Sequence, residues 1–337
     1  MPNRDIIVIG ASLDGIEAIR RLLAGLPADL PATIFCVVHT SSSGAPDLLA
    51  RVIGVRSTLP VGAAQEGERF ARGRVYVAPS DHHLLVGENH VHVRRGPTEN
   101  GSRPAIDPLF RSAAATCTTR VIGVVLTGLL NDGTAGLRAI KRCGGIAVVQ
   151  DPADAECDPM PRSAIRHVEV DYVCPLEEIP ALLAELTAEA RPPPVEVSED
   201  IRMEALIAAQ EVPGMEEWSP SGPFSPITCP ECHGTMQEIH DGELLRYRCH
   251  TGHAFTLEVL GTAQAEAWER ALYSAYGLQQ ERSILLRRMA ERARQQGSGE
   301  TRFLEERARS YEEGAELLRR LIANGNGLRE PDETRQT

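Results

Sequence analysis

The sequence predicts an α/β fold built on a doubly wound, mostly parallel sheet, followed by a small Cys/His-stapled unit and a helical hairpin. Three observations predict it. Short, unbroken apolar runs rich in β-branched residues occur at 6–9, 34–38 and 121–126, the pattern of strands buried on both faces. The first run is followed by Ile16, Ile19, Leu22, Leu23 and Leu26 at helical spacing, the strand-then-helix order of a parallel sheet. After residue 226 the pattern changes to paired cysteines and then to long helical periodicity.

Each of the three runs is closely followed by a residue type that carries chemistry: Ser12 after Gly10-Ala11, His39 directly after Val38, and Asp132 within Thr127-Gly128-Leu129-Leu130-Asn131-Asp132-Gly133. The carboxyl ends of neighbouring parallel strands converge on one crevice, so residues distant in sequence can meet there. A serine hydroxyl is a poor nucleophile near neutral pH. It needs an imidazole to take its proton and a carboxylate to orient that imidazole and stabilise its charged form. Ser12, His39 and Asp132 fit those roles in that order. Backbone N–H groups at the Ser12 turn and in the glycine-flanked turn at Leu129 are the expected oxyanion donors, those of Leu13 and Leu129 in particular.

Plainer readings compete for the same residues. A serine before a helix is commonly an N-cap, a histidine closing a strand is commonly structural, and Asn-Asp-Gly is a common turn with positive φ. Gly10, Ser12 and Gly15 also occupy the spacing of a G-x-G-x-x-G dinucleotide turn. The middle glycine that admits a pyrophosphate is missing, and His39 stands near the expected ribose-binding acid. The coincidence of all three residue types at equivalent strand ends favours the catalytic reading.

At these residues the chain resembles the catalytic domain of chemotaxis protein-glutamate methylesterases, the CheB family, over about residues 4–190. The segments that carry the resemblance occur in order: Gly10-Ala11-Ser12, the strand ending in His39, Gly67-Glu68-Arg69, Tyr76-Val77-Ala78-Pro79 with Asp81 and His83, Arg103-Pro104-Ala105-Ile106-Asp107-Pro108-Leu109-Phe110, Leu126-Thr127-Gly128 through Asp132-Gly133, and Met160-Pro161. The resemblance implies a doubly wound parallel sheet with Ser12 as nucleophile, His39 as general base and Asp132 as its partner. It implies hydrolysis of γ-glutamyl methyl esters on chemoreceptor-like signalling proteins, with glutamine deamidation at the same site and no catalytic cofactor. Leu13-Asp14, Thr40-Ser41 and Leu129-Leu130 depart from the family pattern at the rim of the site. These changes motivate an alternative, a non-catalytic signalling scaffold or adaptor that reuses the fold. With the catalytic strand opening at residue 6, the reading expects a stand-alone form without the family's receiver domain.

Composition sets the outer bounds. A chain of 337 residues exceeds the size at which single cores tend to stop growing, about 250–300 residues, so more than one domain is expected. No apolar run is long enough to cross a bilayer and the first residues are charged, so a cytoplasmic protein without membrane insertion is expected. The formal net charge of −12 argues against nonspecific nucleic-acid binding. The eight cysteines are not spaced as a disulfide framework, and Cys36 and Cys143, within or beside apolar runs, read as small core residues.

The expected organisation is a catalytic domain at 1–190, a linker at 191–226, a zinc-ribbon-like unit at 227–256, a helical hairpin at 257–326 and a disordered tail at 327–337. Arg191-Pro192-Pro193-Pro194 ends the first domain, and a short helix is expected within the linker at 201–210. Cys229 and Cys232, followed at ribbon-like distance by Cys249 and His253, suit a tetrahedral structural zinc, because thiolate and imidazole match its borderline-soft preference and fill all four positions. His250 is a competing fourth ligand. In the hairpin, Leu304, Ala308, Tyr311, Ala315, Leu318 and Ile322 form one stripe, and Trp268, Leu272, Ala275, Leu286 and Met289 a looser one. The stripes predict either a helical hairpin docked on itself or on the zinc unit, or self-association through these helices.

Overall fold

A computed structural model describes residues 3–39, 46–211 and 222–324. The described chain divides into two compact units, Met1–Leu260 and Gly261–Thr337. The first is organised around seven parallel strands in the order β3-β4-β2-β1-β7-β8-β9. These are β1 (Ile6–Ala11), β2 (Thr33–Val38), β3 (Val61–Ala63), β4 (Arg74–Val77), β7 (Val121–Val125), β8 (Ile146–Gln150) and β9 (Tyr172–Cys174). A separate antiparallel pair, β5 (His83–Val86) and β6 (Val91–Arg94), lies between β4 and β7 in sequence.

Alternation along the strands explains why both faces are covered. In β1, Ile6 and Val8 join one core with Phe35, Val37, Tyr76 and the apolar side of α3 (Ile106–Cys117), while Ile7 and Ile9 join the other with α1 (Gly15–Gly25). Every residue of β1, β2 and β7 is buried. Each fully buried Ile or Leu contributes about 1.5–3 kcal/mol, so these central strands supply much of the burial that holds the frame together. Helices α4 (Thr134–Arg142) and α5 (Pro159–His167) contribute to the α3 face, and α2 (Pro46–Gly54) and α6 (Ile179–Ala188) to the α1 face.

Beyond the parallel sheet, α7 (Glu199–Ala209) occupies the region read as a linker with a short helix. A four-stranded antiparallel sheet follows, in the order β10 (Phe224–Thr228), β11 (Thr235–Asp241), β12 (Leu244–Cys249) and β13 (Ala254–Thr256). It belongs to the same compact unit as the parallel sheet. The tail predicted to be disordered lies outside the described residues.

Helix α8 (Leu257–Gln295) begins in the last residues of the first unit and, within the second, turns back into α9 (Thr301–Asn324). The α9 stripe predicted from periodicity faces inward, with Leu304, Ala308 and Ala315 buried. The α8 stripe requires correction. Leu286, Ala290 and Ala293 form its buried line, whereas Trp268 is 54% and Met289 47% exposed. Ser283 and Arg287 reach Glu312 across this seam, and Arg294 reaches Glu305. No helix among the described residues is long and apolar enough to cross a membrane.

Candidate active site and metal centre

Strand order alone brings the three candidate residues together. β1 lies between β2 and β7, and the chain leaves β1 toward one side and later returns on the other, which makes its carboxyl end the switch point of the sheet. The ladder continues past the strand ends: His39 N–H donates to Ala11 O at 3.2 Å, Leu126 N–H to Gly10 O at 2.9 Å, and Ser12 N–H to Thr127 O at 3.0 Å. Ser12 is therefore fixed between the other two segments by its backbone. It is not the N-cap of α1; that position is Asp14, in the left-handed region at φ 61°.

The side chains form a row. Ser12 Oγ lies 3.1 Å from His39 Nδ1, and His39 Nε2 lies 2.8 Å from Asp132 Oδ2. An ionised Asp132 accepts from Nε2–H, which in the neutral ring leaves Nδ1 free to accept the Ser12 hydroxyl. Asp132 is buried and richly bonded. Its Oδ2 also accepts from Ile106 N–H at 2.6 Å, and its Oδ1 from Asp107 N–H at 3.2 Å, Gly133 N–H at 3.0 Å and Asn100 Nδ2 at 3.1 Å. Burial pushes its carboxyl up, but the hydrogen bond and charge of His39, with the Ile106 N–H and Asn100 donors, outweigh burial and hold it below the usual carboxylate range. The Ile106 and Asp107 donors are the first amides of α3, where the helix dipole also favours an anion.

The remainder of the site was less visible in the sequence. Asp107, one residue inside α3, is buried beside Asp132; burial first and the Asp132 charge second push its carboxyl up to about 7. Asn100 Nδ2 spans the two carboxylates, 3.1 Å from each. His83 is buried, donates from Nε2 to Pro97 O at 2.8 Å and accepts Ala105 N–H at Nδ1. It braces the loop before α3. The signal that could have found Asn100 was the Asn100-Gly101 pair, a turn dipeptide whose residues both adopt positive φ.

The predicted oxyanion donors sit on the two turns that flank Ser12. Among the described residues, the N–H groups of Leu13 and Leu129 have no protein acceptor, and both side chains are 49% exposed. Positive φ in the second turn falls on Leu130 (61°) and Gly133 (91°), not on Asn131 or Asp132. Asp14 is exposed beside Ser12, while Thr40 and Ser41 lie outside the described residues. Gly128 sets the closeness of the turns, because a Cβ there would come 2.7 Å from Ser12 Cβ and 2.8 Å from Met160 Cε. Gly128→Ala is expected to lower hydrolysis by about a hundredfold through displacement of Ser12, with the fold retained; steady-state rates together with circular dichroism check it.

At the turns between β10 and β11 and between β12 and β13, Cys229, Cys232, Cys249 and His253 present ligand atoms that all lie within 4.8 Å of one another. Cys232 Sγ is 3.6 Å from Cys249 Sγ, and His253 Nδ1 is 3.5 Å from Cys249 Sγ. Zinc–sulfur bonds of about 2.3 Å in a tetrahedron require sulfurs about 3.8 Å apart, so the residues fit that ion. His253 directs its other nitrogen, Nε2, to Glu231 Oε2 at 3.4 Å, the outer carboxylate that orients a ligating imidazole. His250 is exposed and outside the cluster.

Fold and site together define an α/β protein with a hydroxyl, an imidazole and a carboxylate aligned at the switch point of a parallel sheet. The family model for CheB methylesterase matches residues 7–183, and the chain belongs to that family of carboxylic ester hydrolases. It is 42% identical over 183 residues to a protein-glutamate methylesterase/protein-glutamine glutaminase 2 of Anaeromyxobacter dehalogenans, covering 54% of this chain and 53% of that one. A putative protein-glutamate methylesterase/protein-glutamine glutaminase of Leptospira interrogans is 40% identical over 185 residues, covering 55% of this chain and 95% of that one. This chain thus spans about half the length of the first relative and nearly all of the second. The crystal structure of the Thermotoga maritima CheB methylesterase catalytic domain aligns with a TM-score of 0.52 and 34% identity, covering 54% of this chain and 98% of that one.

Proposed function

We propose that this chain is a serine protein-glutamate methylesterase that demethylates glutamyl methyl esters on chemoreceptor-like signalling proteins. The observation that carries this reading is the unbroken row from Ser12 Oγ to His39 at 3.1 Å and on to Asp132 at 2.8 Å. In this mechanism His39 Nδ1 removes the hydroxyl proton as Ser12 Oγ attacks the ester carbonyl. The N–H groups of Leu13 and Leu129 receive the developing oxyanion. His39 returns the proton to the departing methoxide, methanol leaves, and a water activated by the same nitrogen releases the glutamate. With a glutamine substrate the same steps release ammonia.

Residues 1–190 carry this chemistry without a cofactor in the proposal. Zinc on Cys229, Cys232, Cys249 and His253 closes all four positions, which assigns it to structure instead of hydrolysis. The setting proposed is cytoplasmic, where methylated receptor helices are accessible. Self-association through α8 and α9 is the further partner in this reading. The adaptor alternative has no comparable observation behind it.

The test is incubation of the full chain with methylated receptor helices, followed by measurement of methanol, and separately reaction with a fluorophosphonate followed by peptide mapping. Methanol release with the adduct on Ser12 is expected. Helices that keep their methyl groups would overturn the reading.

A further inference from the structure

The segment 98–100 touches both the residues that adjoin the Cys229, Cys232, Cys249 and His253 cluster and the row of candidate catalytic residues, and its three side chains divide the work. Thr98 Oγ1 donates to Glu231 Oε1 at 2.5 Å, and Glu231 in turn faces His253, one of the four metal-ligating residues. Glu99 is buried and paired with Arg248 at 3.2 Å. Arg248 adjoins Cys249 in sequence and donates from Nη1 to Gly252 O at 2.9 Å, inside the loop between the second pair of ligands. Asn100 donates to Asp132.

The backbone is tied to the same sheet. Ala254 N–H donates to Thr98 O at 3.3 Å, Asn100 N–H donates to Ala254 O at 2.8 Å, and Thr256 N–H donates to Asn100 Oδ1 at 3.1 Å. The amide of Asn100 is thereby oriented from the ribbon side. Its oxygen accepts from β13, which compels its nitrogen to face Asp132 and Asp107. A second tie runs from Thr256 Oγ1 to Asn131 Oδ1 at 2.8 Å, one residue before Asp132. The ribbon thus contacts the carboxylate end of the row through two asparagines, each satisfied by β13 on one side.

We propose that metal held by Cys229, Cys232, Cys249 and His253 controls the reactivity of Ser12 through the 98–100 segment, with Asn100 as a positioning residue for Asp132. The proposal rests on the serine-esterase reading of Ser12, His39 and Asp132. Loading the site fixes His253 and Cys249, which fixes Ala254 to Thr256 directly after them and so the Asn100 amide. Loss of the ion frees the turn at 249–253, and Asp132 loses the ordered Asn100 donor, one of those that aim it at His39, while the Ile106, Asp107 and Gly133 N–H groups stay on it. A zinc-class divalent ion thereby raises the rate of turnover although it touches no substrate.

The experiment uses the full chain and three readouts: zinc content, the rate at which a fluorophosphonate modifies Ser12, which needs no ester substrate, and steady-state hydrolysis of a methyl ester. Removing zinc with a chelator is expected to slow modification by about tenfold to a hundredfold, the range seen when an outer partner of a metal site is lost, and added zinc is expected to restore it. Asn100→Ala is expected to keep its zinc, lose a similar factor in kcat with KM unchanged, and show no further loss on chelation. Thr98→Val is expected to slow the reaction with zinc retained, and Thr98→Ser to recover it. Should the stripped protein unfold, the zinc-loaded Asn100→Ala and Thr98→Val variants still decide the matter. Wild-type modification rates in both loaded variants, or chelation and Asn100→Ala acting as independent multiplied losses, would overturn the proposal while leaving the esterase reading intact. Modification that persists in Ser12→Ala would remove the esterase reading, and the proposal with it.

Discussion

Ser12→Ala is expected to lower methyl-ester hydrolysis by about a millionfold, with the residual rate supplied by binding and the oxyanion donors alone. The fold should be unaffected. Ser12 is held by its backbone N–H to Thr127 O at 3.0 Å, a bond that alanine keeps, and its hydroxyl is bonded to His39. The double variant Ser12→Ala with His39→Ala should be no slower than the single one, because residues that act as a unit are strongly non-additive. Methanol release under single-turnover conditions measures the loss, and activity within tenfold of wild type would exclude Ser12 as the nucleophile.

The meeting of these residues was legible in the sequence because strand ends are a local property. A short β-branched run followed directly by His39 needs no knowledge of the rest of the chain, and parallel pairing then places all such ends on one side of the sheet. The Cys229, Cys232, Cys249 and His253 cluster was legible for a similar reason, since its Cys-x-x-Cys half and its Cys249 and His253 half are each local. What periodicity could not supply was how far a partner reaches. α9 spans about 36 Å and α8 about 58 Å at 1.5 Å per residue, so Trp268 lies beyond the stretch that α9 covers, and Met289 falls on the outer side of it. The ties between Asn100 and β13, and between Glu99, Glu204 and the arginines of β12, join residues that no local pattern relates.

Those arginines carry the second large effect, which falls on stability. Glu204 of α7 is 4% exposed. It accepts from Arg246 Nη1 at 2.8 Å and Nη2 at 2.6 Å and from Arg248 Nη2 at 3.0 Å, and lies 3.2 Å from Arg111 Nη1. Glu99 joins the same buried group through Arg111 and Arg248. Three guanidiniums thus share two carboxylates, and among the described residues the Nε atoms of Arg111, Arg246 and Arg248 find no acceptor. Glu204→Ala leaves this surplus of buried positive charge with one carboxylate and is expected to cost about 3–5 kcal/mol. A urea titration that follows the first unit reads this as a lower midpoint with an unchanged slope. Combining Glu204→Ala with Arg246→Met should recover part of the loss, since the two positions are in contact.

The sign of the pH dependence follows from the same group. Burial pushes the Glu204 carboxyl up, yet the charges of Arg246 and Arg111 outweigh it and hold the folded-state pKa well below 4.5; Glu99 is lowered in the same way, mainly by Arg111 and Arg248. A depressed folded pKa contributes stability that is fully present above the unfolded value, about 4.3 for a glutamate, and is lost as the pH falls toward the folded pKa. The gap between wild type and Glu204→Ala should therefore be constant from neutral pH to about pH 5 and narrow below it. A gap that widened on acidification would mean that Glu204 is protonated in the native protein and that the arginines are held by other means.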